Sequence, residues 1–407
     1  MSFKKNFSLY GLPEKVVFCK NCVISNQRPS SVIEFRNIGD SKKGIEIKEN
    51  QICSACTYNE IKKKIDWKKR EEQFLNLLEK FRKKNDEYDC IVPSSGGKDS
   101  SFTAHILKNK YGMNPLAVTW APNMWTDIGL KNFNNLSRVG GIDSYLYTPN
   151  GNLHRRLTKE AFLNLGHPFQ PFFFGQKIIG PKIASQLNIN LVVYGENQAE
   201  YGNDIKDNET YLMRSNFFSI KDNENIENLI LGGRKIKDII ENSKFQLKDF
   251  ASYIPLKESV INEKKISMVY LGFFERWDPQ ENYYYAVENT GFRPANERSE
   301  GTYSKYTEID DKIVPIHFYA KRAKFGLGRA TYDTCQEIRN NKITRDEAVK
   351  LVNKFDGEFP KKYLNDFLEY IEISEEEFHK KIDELRSPHL WEFKNSSWKL
   401  KVNCSNS

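Results

Sequence analysis

A short run of glycine, serine and charged residues in the first quarter of the chain has the composition of a phosphate-binding loop. It follows an apolar stretch at residues 88–93 and precedes an amphipathic one, which predicts a strand, a tight loop and a helix. Glycines let a ligand approach the backbone closely, and the N-terminus of the following helix favours phosphate. We expect the serines to add hydroxyl donors and the aspartate to hold Mg²⁺ or order the loop. The run is Ser95, Gly96, Gly97, Lys98, Asp99 and Ser100.

This run departs from the Walker loop, because its lysine is followed by Asp99 where a Walker loop has serine or threonine. It resembles instead the PP-loop of the ATP pyrophosphatases, which cleave ATP between the α and β phosphates and transfer AMP to a substrate oxygen. A glycine-rich turn without a ligand is the alternative. The combination of both serines, both glycines and the aspartate favours the nucleotide site.

A second polar cluster follows an apolar strand predicted at residues 190–194. Gly195, Glu196 and Asn197 come where that strand should emerge at the ligand-binding edge of a parallel sheet. Glu196 and Asn197 are candidates to bind magnesium or to orient a substrate, and a simple turn or helix cap is an equal alternative. Thr119, near the end of another predicted strand, is a candidate to flank a nucleotide base.

Four of the seven cysteines form two Cys-x-x-Cys pairs, Cys19 with Cys22 and Cys53 with Cys56. This spacing suits tetrahedral coordination of a structural zinc ion by four thiolates. An iron–sulfur cluster and two disulfides are the alternatives. With four protein ligands a zinc ion would have no open position for catalysis. The remaining thiols show no sign of a catalytic role.

Length and charge favour an intracellular enzyme with more than one module. A chain of 407 residues exceeds the size at which a single core stops growing. The net charge of +8 suits an anionic ligand such as a nucleotide and does not demand nucleic acid. Because the sequence shows neither a signal-peptide pattern nor a membrane-spanning apolar run, we expect the protein to be cytoplasmic.

The chain divides into three predicted parts: a metal-binding module at 1–60, an α/β domain at 61–260 with an insertion at 204–260, and a C-terminal region at 261–407 that is mostly helical after 330. Strands predicted at 115–120, 144–147 and 190–194 alternate with helices at 127–139, 153–165 and 175–187. A charged helix is predicted over 61–84. This alternation predicts a parallel sheet with helices on both faces.

A basic run near the start of the C-terminal helical part has two interpretations. Lys321, Arg322, Lys324 and Arg329 lie within nine residues and are interspersed with glycines. They could bind a phosphate or a sugar carboxylate. A solvated basic helix end is the favoured interpretation.

Taken together, the order of motifs resembles the N-acetyl sugar amidotransferases of bacterial surface-polysaccharide and flagellin-sugar biosynthesis. The likeness runs from about residue 15 to 360. It rests on the cysteine pairs, the loop at 95–100, the cluster at 195–197 and the segments at 277–279 and 328–331. It implies that ATP adenylates an acetamido carbonyl and that ammonia then displaces AMP. It also implies roles in catalysis for Lys98, Asp99, Glu196 and Asn197, phosphate contacts from the loop, and Mg²⁺ and zinc as metals.

The resemblance further implies a separate glutaminase subunit as the ammonia source, with room for a synthase-like barrel partner. Position 2 is serine, and Cys90, Cys335 and Cys404 lie outside any Gly-x-Cys-x-Gly elbow. Two other functions stay open. One is a PP-loop tRNA thiolation enzyme, although the modest net positive charge gives little support for RNA binding. The other is a nucleotide-binding scaffold subunit without turnover.

Overall fold

The computed structural model describes residues 7–84, 87–196, 198–203, 206 and 209–406. A five-stranded parallel sheet lies at its centre, in the order β3-β2-β1-β4-β9. Two-residue strands pair in the insertion, and a hairpin closes the C-terminal region. The strands are β1 (Cys90–Pro93), β2 (Pro115–Trp120), β3 (Asp143–Tyr147), β4 (Leu191–Tyr194), β5 (Ser219–Ile220), β6 (Ile230–Leu231), β7 (Arg234–Lys235), β8 (Leu256–Lys257), β9 (Ser267–Tyr270), β10 (Trp391–Lys394) and β11 (Ser397–Leu400).

The helices flank this sheet and form most of the C-terminal region. They are α1 (Ser54–Lys62), α2 (Trp67–Leu78), α3 (Lys98–Asn109), α4 (Asp127–Arg138), α5 (Gly151–Leu165), α6 (Gln170–Leu187), α7 (Ile236–Glu241), α8 (Glu258–Glu263), α9 (Pro279–Asn289), α10 (Val314–Phe325), α11 (Arg329–Arg339), α12 (Arg345–Phe355), α13 (Leu364–Ile371) and α14 (Glu375–Glu384). Within the described residues, no helix is both long and apolar enough to cross a membrane.

Burial on both faces explains why the central strands are apolar throughout. In β1, Ile91 packs into the cluster that contains Ile178 and Ile183 of α6. Its neighbour Val92 points the other way, toward Leu107 of α3. Successive side chains of a strand point to opposite faces, so a sheet covered on both sides needs apolar residues at every position. The structure confirms the predicted α/β class.

Three features differ from the prediction. The charged helix predicted over 61–84 is two helices, because Asp66 breaks the pattern and caps α2 by accepting a hydrogen bond from the Lys69 N–H. Strand β9 completes the parallel sheet although it lies beyond the predicted domain boundary at 260. The C-terminal region, predicted as mostly helical, ends in the β10–β11 hairpin.

The N-terminal segment, defined here as residues 7–60, packs against the C-terminal helices. Its four paired cysteines share one buried cluster with Leu327, Cys335 and Ala348. Contacts between the two ends of the chain therefore enclose the central sheet from one side.

Candidate functional site

The sheet order brings the two polar clusters together. From β1 the chain continues through β2 and β3 on one side of the sheet, and it then returns to β4 on the other side of β1. Ligands of open α/β sheets bind at such a switch point, beside the carboxyl ends of the strands. The loop after β1 carries Ser95 and Gly96, and the loop after β4 carries Gly195 and Glu196. The geometry therefore assigns both clusters to one site.

The loop after β1 is held in shape from within the protein. The Ser94 hydroxyl accepts a hydrogen bond from the Gly96 N–H at 3.1 Å and donates one to the Ser100 hydroxyl at 2.9 Å. Gly96 has φ +79°, and a Cβ there would lie 2.5 Å from the Phe133 Cα. Only glycine combines this left-handed conformation with so close an approach. Thr119 is fully buried, and its hydroxyl donates to the Ser94 carbonyl.

The hydroxyl of Thr119 is committed to the loop backbone, and Thr119 is not among the residues that line the cavity described below. Its contact with a nucleotide base stays a prediction.

The loop leads directly into α3, whose N-terminus is not capped by a side chain. The N-cap residue is Gly97, which offers no side-chain cap to the first-turn N–H groups. A Cβ on Gly97 would have the Ser95 hydroxyl oxygen as its nearest neighbour, at 3.6 Å. Uncapped N–H groups and the positive end of the helix dipole therefore face open space, which is the arrangement that binds phosphate.

Charged side chains surround this helix end. Lys98 is buried and forms an ion pair with Asp99, whose other carboxylate oxygen accepts a hydrogen bond from the Asn282 amide at 3.0 Å. Asp99 thus orders the loop. Burial raises the pKa of Glu196, and the nearby Asp99 charge raises it further. Burial lowers the pKa of Lys177, which Glu196 opposes.

Two carboxylates that repel each other at one helix end suit a hard divalent cation. Asp99 and Glu196 supply oxygen donors of the kind Mg²⁺ prefers, and their mutual repulsion would be relieved by a cation between them. Asn197 lies outside the described residues. The catalytic and nucleotide-binding roles of these residues stay predictions.

Two further carboxylates at the site were missed by the sequence analysis. Asp310 accepts a hydrogen bond from the Ser95 side chain, and burial raises the pKa of Asp310. Burial also raises the pKa of Asp311 to about 7, although Asp311 accepts hydrogen bonds from the backbone of Asn123 and Ile313. In the sequence, Asp310 and Asp311 are only an acidic pair ahead of a predicted helix, and they match no motif.

The four paired cysteines form a compact tetrahedral donor set. Their sulfur atoms all lie within 4.8 Å of one another. The Cys19 and Cys56 sulfurs are 3.9 Å apart, and the Cys22 and Cys53 sulfurs are 3.8 Å apart. Metal–sulfur bonds of about 2.3 Å in a tetrahedron put sulfurs about 3.8 Å apart. The set therefore fits a single metal ion, whereas a four-iron cluster would hold each sulfur on a different iron and spread them further.

One cavity of about 680 Å³ connects the loop with both ends of the chain. Besides residues 94–100 and Glu196, its walls include Arg28 and Ser31 of the N-terminal segment and Lys321 and Tyr332 of the C-terminal region. Its volume lies in the usual range for small-molecule sites. The site is thus larger than the loop and is shared by all three parts of the chain.

The basic run is not the solvated helix end that the sequence favoured. Lys324 and Arg329 are buried, and Lys321 is largely buried. The Lys324 ammonium donates to the Leu165 carbonyl at 2.7 Å, and Arg329 pairs with Glu308 at 3.2 Å. Only the structure shows that α10 turns its cations inward.

Residues 300–403 match the family model described as the C-terminal domain of WbpG-like LPS biosynthesis proteins. The C-terminal quarter of the chain is similar to this domain, and the region 300–403 is called the WbpG-like domain below. This match confirms the resemblance to a bacterial surface-polysaccharide family. It also means that the WbpG-like domain contributes Lys321 and Tyr332 to the cavity that contains the loop.

Other comparisons give weaker likenesses. An uncharacterized protein of Methanocaldococcus jannaschii, MJ1599, is 28% identical over 103 residues, which span 25% of this chain and 37% of that protein. The structure of NMN synthetase from Francisella tularensis has a TM-score of 0.30 at 12% identity, covering 76% of this chain and 98% of that one. The U34-tRNA thiolase NcsA from Methanococcus maripaludis, with its [4Fe-4S] cluster, also has a TM-score of 0.30 at 12% identity, covering 87% and 89%. Structural similarity at this level supports no conclusion about fold or function.

Proposed function

We propose that the chain is an ATP-dependent amidotransferase that converts the acetamido group of an N-acetylated sugar into an acetamidino group. One observation carries the proposal: a single cavity is lined by the phosphate-binding loop at 94–100 and by the WbpG-like domain. A nucleotide and a sugar precursor of LPS could therefore meet in one enclosed space. The proposal also takes the cytoplasm as the site of action. It keeps the predicted boundary near residue 60 and moves the one predicted near 260 beyond β9, which belongs to the central sheet.

The loop suits the polyphosphate of ATP. The first-turn N–H groups of α3 have no side-chain cap, and Ser95 and Ser100 flank the same helix end, where their hydroxyls could turn from Asp310 and the Gly97 carbonyl to a phosphate. Lys98 adds a positive charge that is already held by Asp99. Mg²⁺ bound at Asp99 and Glu196 would offset charge on the departing pyrophosphate.

The reaction needs two displacements. An acetamido carbon is a poor electrophile, because the nitrogen lone pair is delocalised into the carbonyl. Attack of the carbonyl oxygen on the α phosphorus of ATP forms an O-adenylyl imidate and releases pyrophosphate. Ammonia then attacks the imidate carbon, AMP leaves with the former carbonyl oxygen, and the amidine retains the new nitrogen. The loop stabilises charge on the departing pyrophosphate in the first step.

Two further components belong to the proposal. Zinc at Cys19, Cys22, Cys53 and Cys56 would hold the N-terminal segment in its folded form, since four thiolates leave no open position for catalysis. Ammonia would come from a separate glutaminase subunit, because none of Cys90, Cys335 and Cys404 lies in a glutaminase nucleophile motif.

The test follows the carbonyl oxygen. Purified protein is given ATP, Mg²⁺, ammonium and a panel of sugar nucleotides whose acetyl oxygen is ¹⁸O. We expect sugar-dependent AMP that carries the ¹⁸O, pyrophosphate, and a sugar product in which NH replaces oxygen, all by mass spectrometry. Formation of ADP and labelled phosphate would refute the adenylation step. AMP formed only with tRNA and a sulfur donor would replace the proposal by thiolation, and absence of turnover with bound ATP would indicate a scaffold.

Asp99→Asn is the diagnostic variant in this assay. It removes the carboxylate that holds both Lys98 and Asn282, so the loop loses its order and AMP formation should fall at least about 100-fold. Asp127→Asn is the matched control, because Asp127 occupies the first turn of α4 as Asp99 does of α3 but is exposed on the surface. Equal activity of the Asp99 variant and the wild type would remove the role assigned to this residue.

A further inference from the structure

Arg28 and Lys321 are two of the cations that line the cavity. Arg28 is 8% exposed, and among the described residues its guanidinium donates to the Pro29 carbonyl and, at 3.4 Å, to the Asn203 side chain. Lys321 lies over the Tyr332 ring, with its ammonium 4.0 Å from the ring centroid. Within the described part of the chain, neither cation forms an ion pair. Buried charges are normally paired, because desolvation makes an isolated one costly.

These two cations lie close enough to influence each other. Burial, reinforced by the Arg28 charge and that of Arg329, lowers the pKa of Lys321 to about 7, while Glu308 opposes the shift. Glu308 is itself paired with Arg329 and is exposed over half of its side chain. It therefore does not neutralise the pair. Arg28 and Lys321 therefore both contribute positive charge to the cavity.

Unpartnered polar atoms surround the same place. The hydroxyl of Tyr332 and both amide atoms of Gln336, one turn further along α11, are buried without a hydrogen-bond partner. Both residues line the cavity. Buried polar groups are hydrogen-bonded in almost all proteins, so the Tyr332 hydroxyl and the Gln336 Nε2, which lack a partner among the described residues, are suited to donate to a ligand. Positive charge and hydroxyl or amide donors select an oxyanion.

We propose that Arg28, Lys321, Tyr332 and Gln336 form a subsite for an oxyanion of the sugar substrate, apart from the loop that holds ATP. The assignment of the ligand to the sugar rests on the proposed function. The oxyanion is either the diphosphate of a nucleotide-activated sugar or a carboxylate on the sugar ring, since both offer the same acceptors.

The position of this subsite fixes the orientation of the substrate. Arg28 and the Ser31 N–H both donate to the Asn203 side chain. Asn203 belongs to the segment that follows Glu196. The oxyanion would therefore be held by the N-terminal segment, α10 and α11, and the acetamido group would extend toward the loop and Glu196, which line the same cavity. A substrate anchored at its charged end would present its acetyl carbonyl to ATP without competing for the phosphate site at α3.

Binding without turnover tests the subsite independently of the proposed reaction. The full chain, loaded with an ATP analogue that has a methylene bridge between the α and β phosphorus atoms, is titrated with three probes by calorimetry or ligand-observed NMR. UDP-N-acetylglucosamine carries the diphosphate, N-acetylglucosaminuronic acid carries only a carboxylate, and N-acetylglucosamine carries neither. Filling the loop with the analogue prevents the probes from binding there.

Lys321→Met separates a binding role from a structural one. We expect about 10- to 100-fold weaker binding of one or both charged probes, unchanged binding of N-acetylglucosamine, and a melting temperature equal to or above the wild type. Stability should not fall, because the substitution removes an unpaired charge and keeps the aliphatic stem. The charged probe that responds identifies the source of the oxyanion. Tyr332→Phe is the second variant and should weaken the same probe about 3- to 10-fold.

Arg322→Met is the matched control on the same helix. Arg322 lies outside the cavity lining, with its guanidinium carbon 5.3 Å from the centroid of the Trp391 ring, so its loss should leave probe affinities within twofold. Wild-type protein that binds neither charged probe overturns the subsite, as does a Lys321 variant that binds both with wild-type affinity. Neither result bears on AMP formation, which the ¹⁸O assay measures separately.

Discussion

Two adjacent glycines in the loop after β1 are needed for different reasons. Gly96 has φ +79° and approaches the backbone of α4, with a notional Cβ 2.5 Å from the Phe133 Cα. Gly97 has φ −67°, which any residue adopts, and only the Ser95 hydroxyl comes within 4 Å of its notional Cβ. The fold therefore requires glycine at position 96. At position 97 the fold would accept a larger residue, and only a ligand in the space beside Gly97 would exclude one.

This difference predicts opposite behaviour for two single-methyl substitutions. Gly96→Ala should lower the free energy of unfolding by about 1–2 kcal/mol from backbone strain alone, with more from the clash. Gly97→Ala should unfold at nearly the wild-type temperature but bind ATP at least about tenfold more weakly, because its methyl group faces the phosphates. Thermal melts and ATP titrations of both variants provide the measurement. Wild-type ATP affinity in the Gly97 variant would show that phosphate does not lie against this loop.

At the residue scale, the sequence identified residues with suitable ligand groups but did not show which other residues they contact. The loop at 95–100 and the cysteine pairs were visible because the chemistry of each is concentrated in a few consecutive positions. Asp310 reaches the site from the far end of the chain and has no neighbouring motif. The basic run was misjudged because charge in a sequence does not say which way a helix faces.

Among the elements, α1 connects the metal-binding cysteines with the loop after β4. Its N-cap is Cys53, and the hydroxyl of Ser54 donates to the Gly202 carbonyl at 3.4 Å. At its other end, Lys62 donates to the Glu200 carboxylate at 2.9 and 3.1 Å and to the Trp277 carbonyl at 3.0 Å. Both ends of the helix are thus fixed to the segment that follows Glu196.

Removing one end of this connection should be costly. Lys62→Met leaves Glu200, which is 3% exposed, as an unpaired buried carboxylate, and the expected loss is about 3–5 kcal/mol of unfolding free energy. Lys63→Met is the matched control, because the neighbouring Lys63 pairs with Glu60 on the surface at more than half exposure, and such pairs contribute at most about 1 kcal/mol. Denaturant titrations measure both. Equal losses in the two variants would contradict the buried connection.

Element prediction succeeded where burial is uniform. Strands β1, β2 and β4 are apolar because both faces of the sheet are covered, and that leaves a continuous signal in the sequence. The break between α1 and α2 was missed because charged residues continue through it and only Asp66 marks the new cap. Strands β10 and β11 were missed because half of their side chains are exposed and only Trp391 is buried, so they lack an apolar pattern.

On the scale of the whole molecule, the candidate site belongs to no single part of the chain. The N-terminal segment supplies Arg28, the central sheet supplies the loop, and the WbpG-like domain supplies Lys321. The buried cluster that holds the four paired cysteines also contains Leu327 and Cys335. Periodicity and motifs are local, so the sequence could not show that these distant segments share one cavity.

If the four cysteines bind a metal as proposed, the wall of the cavity that carries Arg28 should depend on it. A single ion on four thiolates would contribute folding free energy to the buried cluster that joins the N-terminal segment to the C-terminal helices, so its loss should loosen that wall. The loop after β1 is held within the sheet and should keep its shape. We therefore expect Cys56→Ser to lose the metal and to bind UDP-N-acetylglucosamine at least about tenfold more weakly, with ATP affinity changed much less.

Elemental analysis should find one zinc per wild-type chain and a full complement in Cys90→Ala, a buried thiol outside the cluster. Several iron atoms per chain would refute the single-ion assignment. Equal loss of ATP and sugar binding would show that the metal holds the whole fold and not this wall alone.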